Sequence, residues 1–221
     1  MNDPASKLKK FERFTEAGQA KIAEICRAAA QVFYEKGYLS ATLADVASAA
    51  GLTKGAIFHY FSTKEELLFL ILYRYYESAL ADFKRQLESN HSPQDKIFAY
   101  IRSFIMGYRD RQVESRLALN ERINLSQSYL QMVKDKEREF VKILRSLVAD
   151  LLGKKEQNHT QVTLLTYSLL GMLTWPYRWF DPRGESSPEE LAQIVYKIFI
   201  GDLKIHPRKK PNRRGCGSQI L

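Results

Sequence analysis

The chain has 221 residues and a formal net charge of +9, room for one large domain or a small domain joined to a larger one. Hydrophobic residues make up 45% and charged residues 27%, which permits a packed core and excludes wholesale disorder. The first twenty residues are polar and the longest apolar run is only Leu67–Tyr73, so neither a secretory signal nor a membrane span is expected and the protein is placed in the cytoplasm, with no membrane partner.

The charge lies at the ends. Residues 205–221 hold five Lys/Arg and no acid, whereas residues 65–204 are nearly balanced. Basic ends fit a polyanion, most simply nucleic acid, although solubility alone also accounts for them. The two cysteines, Cys26 and Cys216, give no disulfide framework and no metal spacing. Cys26 falls in an apolar helical stripe and reads as a core residue.

In chain order, residues 1–14 are charged without a clear period and are expected to be a mobile arm. From Gln19 to Lys36 apolar residues recur at helical spacing through Ile22, Ile25, Ala29, Val32 and Phe33, and Gly37 stops the helix. Thr42, with Asp45 three places later, starts a short helix that Gly51 ends. A second short helix follows at once in "TKGAIFHYF", residues 53–61. Thr63 caps a long helix that fades near Ser89. Ser92 and Pro93 open another, striped by Ile97, Tyr100, Ile101, Phe104, Ile105 and Tyr108. Helical patterns continue around 117–125, 128–152, 161–180 and 188–203. No segment has a strand period. The pattern predicts an all-α chain of about nine helices. A small head (15–63) is joined to a helical bundle (64–204), and a disordered basic tail (205–221) follows.

The two short helices have helix-turn-helix spacing. Ala47 allows the pair to cross closely, and Gly51 allows the tight turn between them. In such a unit the second helix enters the DNA major groove N-terminus first. Thr53 and Lys54 then lead, Gly55 permits close backbone approach, and the Ala56 methyl meets a thymine methyl. His59 and Tyr60 face phosphates, while Phe58 and Phe61 turn inward as core. Thr42, Thr63 and Lys64 offer a hydroxyl, an N–H and a cation to phosphates. A purely structural helix pair has the same spacing. The histidines His59, His91, His159 and His206 are scattered, and no phosphate loop or serine elbow is present. No enzyme, metal or cofactor is expected.

These residues closely resemble the TetR (AcrR-like) family of transcriptional regulators. The match runs through Ala29, Phe33, Gly37, Tyr38, Thr42, Val46, Ala47, Ala50 and Gly51, then "GLTKGAIFHYFSTK" at 51–64, then Glu65 and Leu67. Phe58 stands where the family usually has tyrosine, and Tyr60 where histidine is common. The resemblance implies an all-α homodimer whose heads bind a near-palindromic double-stranded DNA operator and whose C-terminal domain binds a small-molecule effector. It also implies that the last two long helices, about 159–181 and 187–204, pair across the dimer.

"GMLTWPYRWFDPRGESSPEEL", from Gly171 to Leu191, is similar to a helix end in members that sense fatty acyl-CoA and related CoA thioesters. Trp175, Arg178 and Trp179 are therefore candidate effector contacts, with dimer or core packing as the other reading for the rings. Arg178 among rings calls for an anionic partner. Tyr100, Phe104 and Tyr108 share one helix face and either wall a pocket or fill the core. Arg116, Asn120, Glu121 and Arg122 form a polar cluster that is either solvated or touches the effector. The expected function is a repressor released from its operator by a hydrophobic or acyl-CoA-type effector. The alternatives are another lipophilic or cationic effector, as in efflux regulators, or a helical adaptor with a degenerate head.

Overall fold

The computed structural model describes residues 4–88, 92–153 and 158–203. The expected basic tail, 205–221, lies outside them. The described residues form ten α-helices and no strand. The helices are α1 (Pro4–Glu12), α2 (Glu16–Lys36), α3 (Leu43–Ala49), α4 (Lys54–Tyr60), α5 (Lys64–Glu88), α6 (Pro93–Asp110), α7 (Gln112–Asn120), α8 (Gln127–Leu152), α9 (His159–Thr174) and α10 (Pro188–Leu203).

The local signals set most boundaries. Gly37 takes φ +80 after α2 and Gly51 takes φ +65 between α3 and α4, positions that disfavour a Cβ. Thr42 and Asp45 form the reciprocal capping box of α3. Thr53 accepts from the Ala56 N–H at the start of α4. Ser92 caps α6, with Pro93 in its first turn.

Three expectations are corrected. Residues 4–12 form a helix in place of the expected mobile arm. Phe11, 2% exposed, anchors it on Phe61, with ring centroids 5.2 Å apart. Lys7 adds an ion pair to the buried Glu66. The helix expected over 117–125 begins earlier, at Gln112, and ends in a 3-10 turn at Arg122–Asn124. The helix expected over 159–181 stops at Thr174, and Trp175–Arg178 form a 3-10 turn with Pro176 in its first positions. Proline lacks the N–H that the next α-helical turn requires.

Two hydrophobic clusters hold these helices. The first joins α1–α4 and the start of α5 to Leu117 and Ala118 of α7 and Tyr129 and Val133 of α8. The second joins Phe83 at the far end of α5 to α6, the end of α8, α9 and α10. The head is thus continuous with α7 and the first turns of α8, and does not close on itself at residue 63.

Candidate nucleic-acid interface and ligand cavity

Ile57 of α4 and, one turn on, Phe61 at the helix's C-cap are fully buried. This i, i+4 pair fixes the helix's rotation. Lys54, Gly55, Phe58 and His59 then lie outward. Phe58 is 47% exposed, a correction to its expected place in the core, because it sits a further 100° round from Ile57. Tyr60 is half-buried beside Phe14, with ring centroids 5.6 Å apart, and its ring meets His59 edge-on. Ala56 is half-buried and Thr53 is exposed.

Gly55 has no conformational reason to be glycine, because its φ is not positive. It has no packing reason either, since a Cβ there would meet nothing within 4 Å. Glycine inside a helix is less stable than alanine by roughly 0.5–1 kcal/mol. Nothing within 4 Å of the Cβ position offsets that cost, as is also true of the helical glycines Gly107, Gly171 and Gly201.

The flanking residues are more committed than the sequence implies. Thr42 Oγ1 serves the capping box, accepting from the Asp45 N–H at 3.2 Å. A hydrogen bond from Lys36 and further ones from Thr42 hold the Asp45 carboxyl down at about 2. Thr63 Oγ1 accepts from the Glu66 N–H at 3.1 Å. Lys64 Nζ donates to the carbonyls of Tyr38 and Leu39 at 2.9 Å and of Ala41 at 3.1 Å. An ammonium has three donors, and all three are engaged in holding the loop between α2 and α3.

A second feature lies at the seam between the two clusters. A cavity of about 890 Å³ opens among α5–α9, a volume suited to a small-molecule ligand. Its apolar wall includes Phe83, Phe104, Tyr108, Phe140 and Leu170. Its rim carries Arg85, Arg102, Arg109, Arg111 and Arg122. Arg85 and Arg111 both pair with the single Asp82 carboxylate, which leaves one positive charge uncompensated there. Deeper in, Glu137 accepts from Tyr76 Oη at 2.7 Å and from Arg122. Burial first, and then Glu137, pushes the Tyr76 phenol well up.

Of the expected effector residues, Phe104 and Tyr108 line this cavity. Tyr108 is also tied to α9 by its hydroxyl, which donates to the Leu173 carbonyl. Tyr100 is fully buried in the second cluster and does not line the cavity. Arg116 lies outside it, with Nη1 donating to Tyr34 Oη at 3.1 Å, and Asn120 is exposed. Trp175 and Trp179 are 63% and 59% exposed. The Arg178 guanidinium is 5.7 Å from the Tyr177 ring, where its neighbours are rings rather than the anionic partner expected. Sequence reasoning finds Arg122, in the polar cluster with Arg116 and Asn120, and misses the other rim arginines. Spread over α5, α6 and the turn before α7, these show no pattern along one dimension.

The fold and these two features define a class: a helix-turn-helix head fused to an all-α domain that encloses a ligand-sized cavity. Residues 25–71 match the family described as bacterial regulatory proteins, tetR family, and residues 90–203 match the tetracyclin repressor-like C-terminal domain. The chain belongs to the TetR family of DNA-binding transcriptional regulators. It is 24% identical over 186 residues to the HTH-type transcriptional repressor KstR2 of Mycolicibacterium smegmatis, covering 81% of this chain and 89% of that one. A TetR-family regulator from Bordetella parapertussis superposes with a TM-score of 0.75 at 24% identity, covering 81% of this chain and 93% of that one. AibR, solved with isovaleryl coenzyme A and operator DNA, superposes with a TM-score of 0.72 at 22% identity, covering 80% of this chain and 97% of that one.

Lys64→Ala is expected to lower unfolding free energy by roughly 1–3 kcal/mol, since three carbonyls lose a charged donor. Duplex affinity should fall with the loosened loop, while its salt dependence keeps the same slope. A flatter slope in a salt titration would place Lys64 on a phosphate instead.

Proposed function

We propose that this chain is a homodimeric repressor whose heads read a palindromic operator through the exposed face of α4 and release it when an acyl-CoA-type thioester enters the seam cavity. The observation that carries the first half is Gly55, a helix-weakening glycine that the chain's own packing does not require. Thr53, Lys54, Gly55 and Ala56 read the base edges, with Phe58 beside them. His59 and Tyr60 meet the backbone. Thr42, Thr63 and Lys64 set the geometry from behind, through caps and the three-carbonyl contact. Gly55→Ala is expected to raise unfolding free energy by about 0.5–1 kcal/mol while lowering operator affinity at least tenfold. A variant that is more stable and binds equally well would remove this reading of α4.

The effector class rests on the cavity's two-sided chemistry. An aromatic and aliphatic wall suits an acyl chain, and the arginine rim suits the phosphates of a coenzyme A moiety. Each of these arginines is ion-paired, but five against Asp82, Asp110 and Glu137 leave the lining net positive, which disfavours a lipophilic cation, the efflux-type alternative. AibR, similar in fold, is known with isovaleryl coenzyme A. Acyl-CoAs of about five to twelve acyl carbons are expected to release a bound duplex and raise the thermal midpoint, whereas coenzyme A alone does neither. Release by a quaternary ammonium compound, and not by the thioesters, would overturn the effector assignment.

The dimer reading rests on α9 and α10. Both are buried on one side, yet Leu164 and Tyr167 of α9 and Ile194 and Ile198 of α10 are more than half exposed. Trp175 and Trp179, between the two helices in the chain, are exposed as well, and exposed apolar side chains in such number mark an interaction face. Ile194→Glu combined with Ile198→Glu should give a folded monomer in sedimentation with strongly weakened operator binding. A double variant that remains dimeric places the interface elsewhere.

A further inference from the structure

We propose that α1 is a second DNA-contacting element, gripping the phosphate backbone beside the groove that α4 enters. This rests on the reading of α4 given above and extends it to a helix that precedes the family-matched region, which starts at residue 25.

Three observations place α1 there. First, it is fixed against the end of α4. Phe11 packs on the fully buried Phe61, Lys10 Nζ donates to the Tyr60 carbonyl at 3.3 Å, and Lys7 pairs with Glu66, 2% exposed, from the first turn of α5. Glu66 also accepts from the Ser62 N–H at 2.9 Å. Its buried carboxylate would be costly without the lysine, so α1 is held in one orientation. Second, the cations fall on one side. Ser6, Lys9 and Lys10 share one face of α1, and Arg13 continues it in the turn just past the helix, where its N–H donates to the Lys9 carbonyl at 3.2 Å. They line one cleft together with Phe14. Phe14 stacks near Tyr60 and meets His59 edge-on at 6.2 Å, so this stripe is continuous with the outward edge of α4. Third, two of the cations are uncommitted. Lys9 and Arg13 are exposed and have no acidic partner among the described residues. Lys7 and Lys10, by contrast, are engaged in fixing the helix.

A recognition helix enters the groove N-terminus first, so an element at its C-terminal end stands over the flanking backbone. Phosphate contacts there position the head and carry no sequence information. The Lys9/Arg13 pair should therefore add affinity and salt dependence without changing which bases are preferred.

The probe is a labelled duplex enriched from a random library by the full chain, used at full length and trimmed of its outer flanks. Lys9→Gln combined with Arg13→Gln leaves the Lys7 and Phe11 anchors in place and should not move the thermal midpoint. On the long duplex the double variant should bind roughly tenfold more weakly, with a log K against log salt slope flatter by about 0.9 for each phosphate that is no longer neutralised. On the trimmed duplex, wild type and variant should bind alike. Equal affinity and slope on the long duplex would overturn the role of α1 while leaving that of α4 intact. If wild type enriches no duplex, the reading of α4 falls and α1 falls with it.

Discussion

Everything in this fold depends on the enclosure of α5. Seven consecutive residues, Glu66 to Leu72, are buried, and a helix buried all round must be surrounded by other elements. The head supplies one side through α2, and α7 and α8 supply others. The head therefore cannot be a free module on a linker. Its core is completed by helices of the larger domain. The same run explains why α1 folds: Glu66 is an acid in an apolar helix, and Lys7 is the charge that makes its burial tolerable.

Further along, α5 changes partners. Tyr75, Tyr76 and Phe83 face the cavity, and Phe83 belongs to the second cluster. The cavity thus occupies the seam between a cluster that contains the DNA head and one that contains α9 and α10. Helix α7 closes this seam on one side. Ser115 and Ala118 line the cavity while α7 packs against α2 of the head, and Ser115 Oγ lies 3.1 Å from Tyr75 Oη. On the function proposed above, a ligand filling the seam acts on the head through α5 and α7 directly. Packed interiors transmit such displacements because they do not deform continuously.

The head is legible in the sequence because its rules are local. Glycines at positive φ, the Thr42–Asp45 capping box, Thr53 as a cap and the period of α2 each act within a few residues. Rotation is harder to read. Phe58 reads as inward because rings are usually core, yet Ile57 and Phe61 take the inward positions and leave Phe58 facing out. Lys64 reads as a phosphate ligand, because three carbonyls 23 to 26 residues away cannot be seen from its neighbours. The cavity is legible only in part. Phe104 and Tyr108 share a helix face that one period reveals, whereas Arg85 and Arg111 come to one rim only after α5, α6 and α7 have packed. The tryptophans near 175–179 draw attention as pocket residues, but neither lines the cavity, and both are more than half exposed.

The direct test is reciprocity. Isovaleryl coenzyme A would be titrated calorimetrically into the free protein and into the protein saturated with its enriched duplex. Coupling through α5 and α7 requires the ligand to bind the duplex complex more weakly, by the same factor with which the ligand weakens the duplex. Equal ligand affinity in the two titrations would mean that the cavity and the head do not communicate.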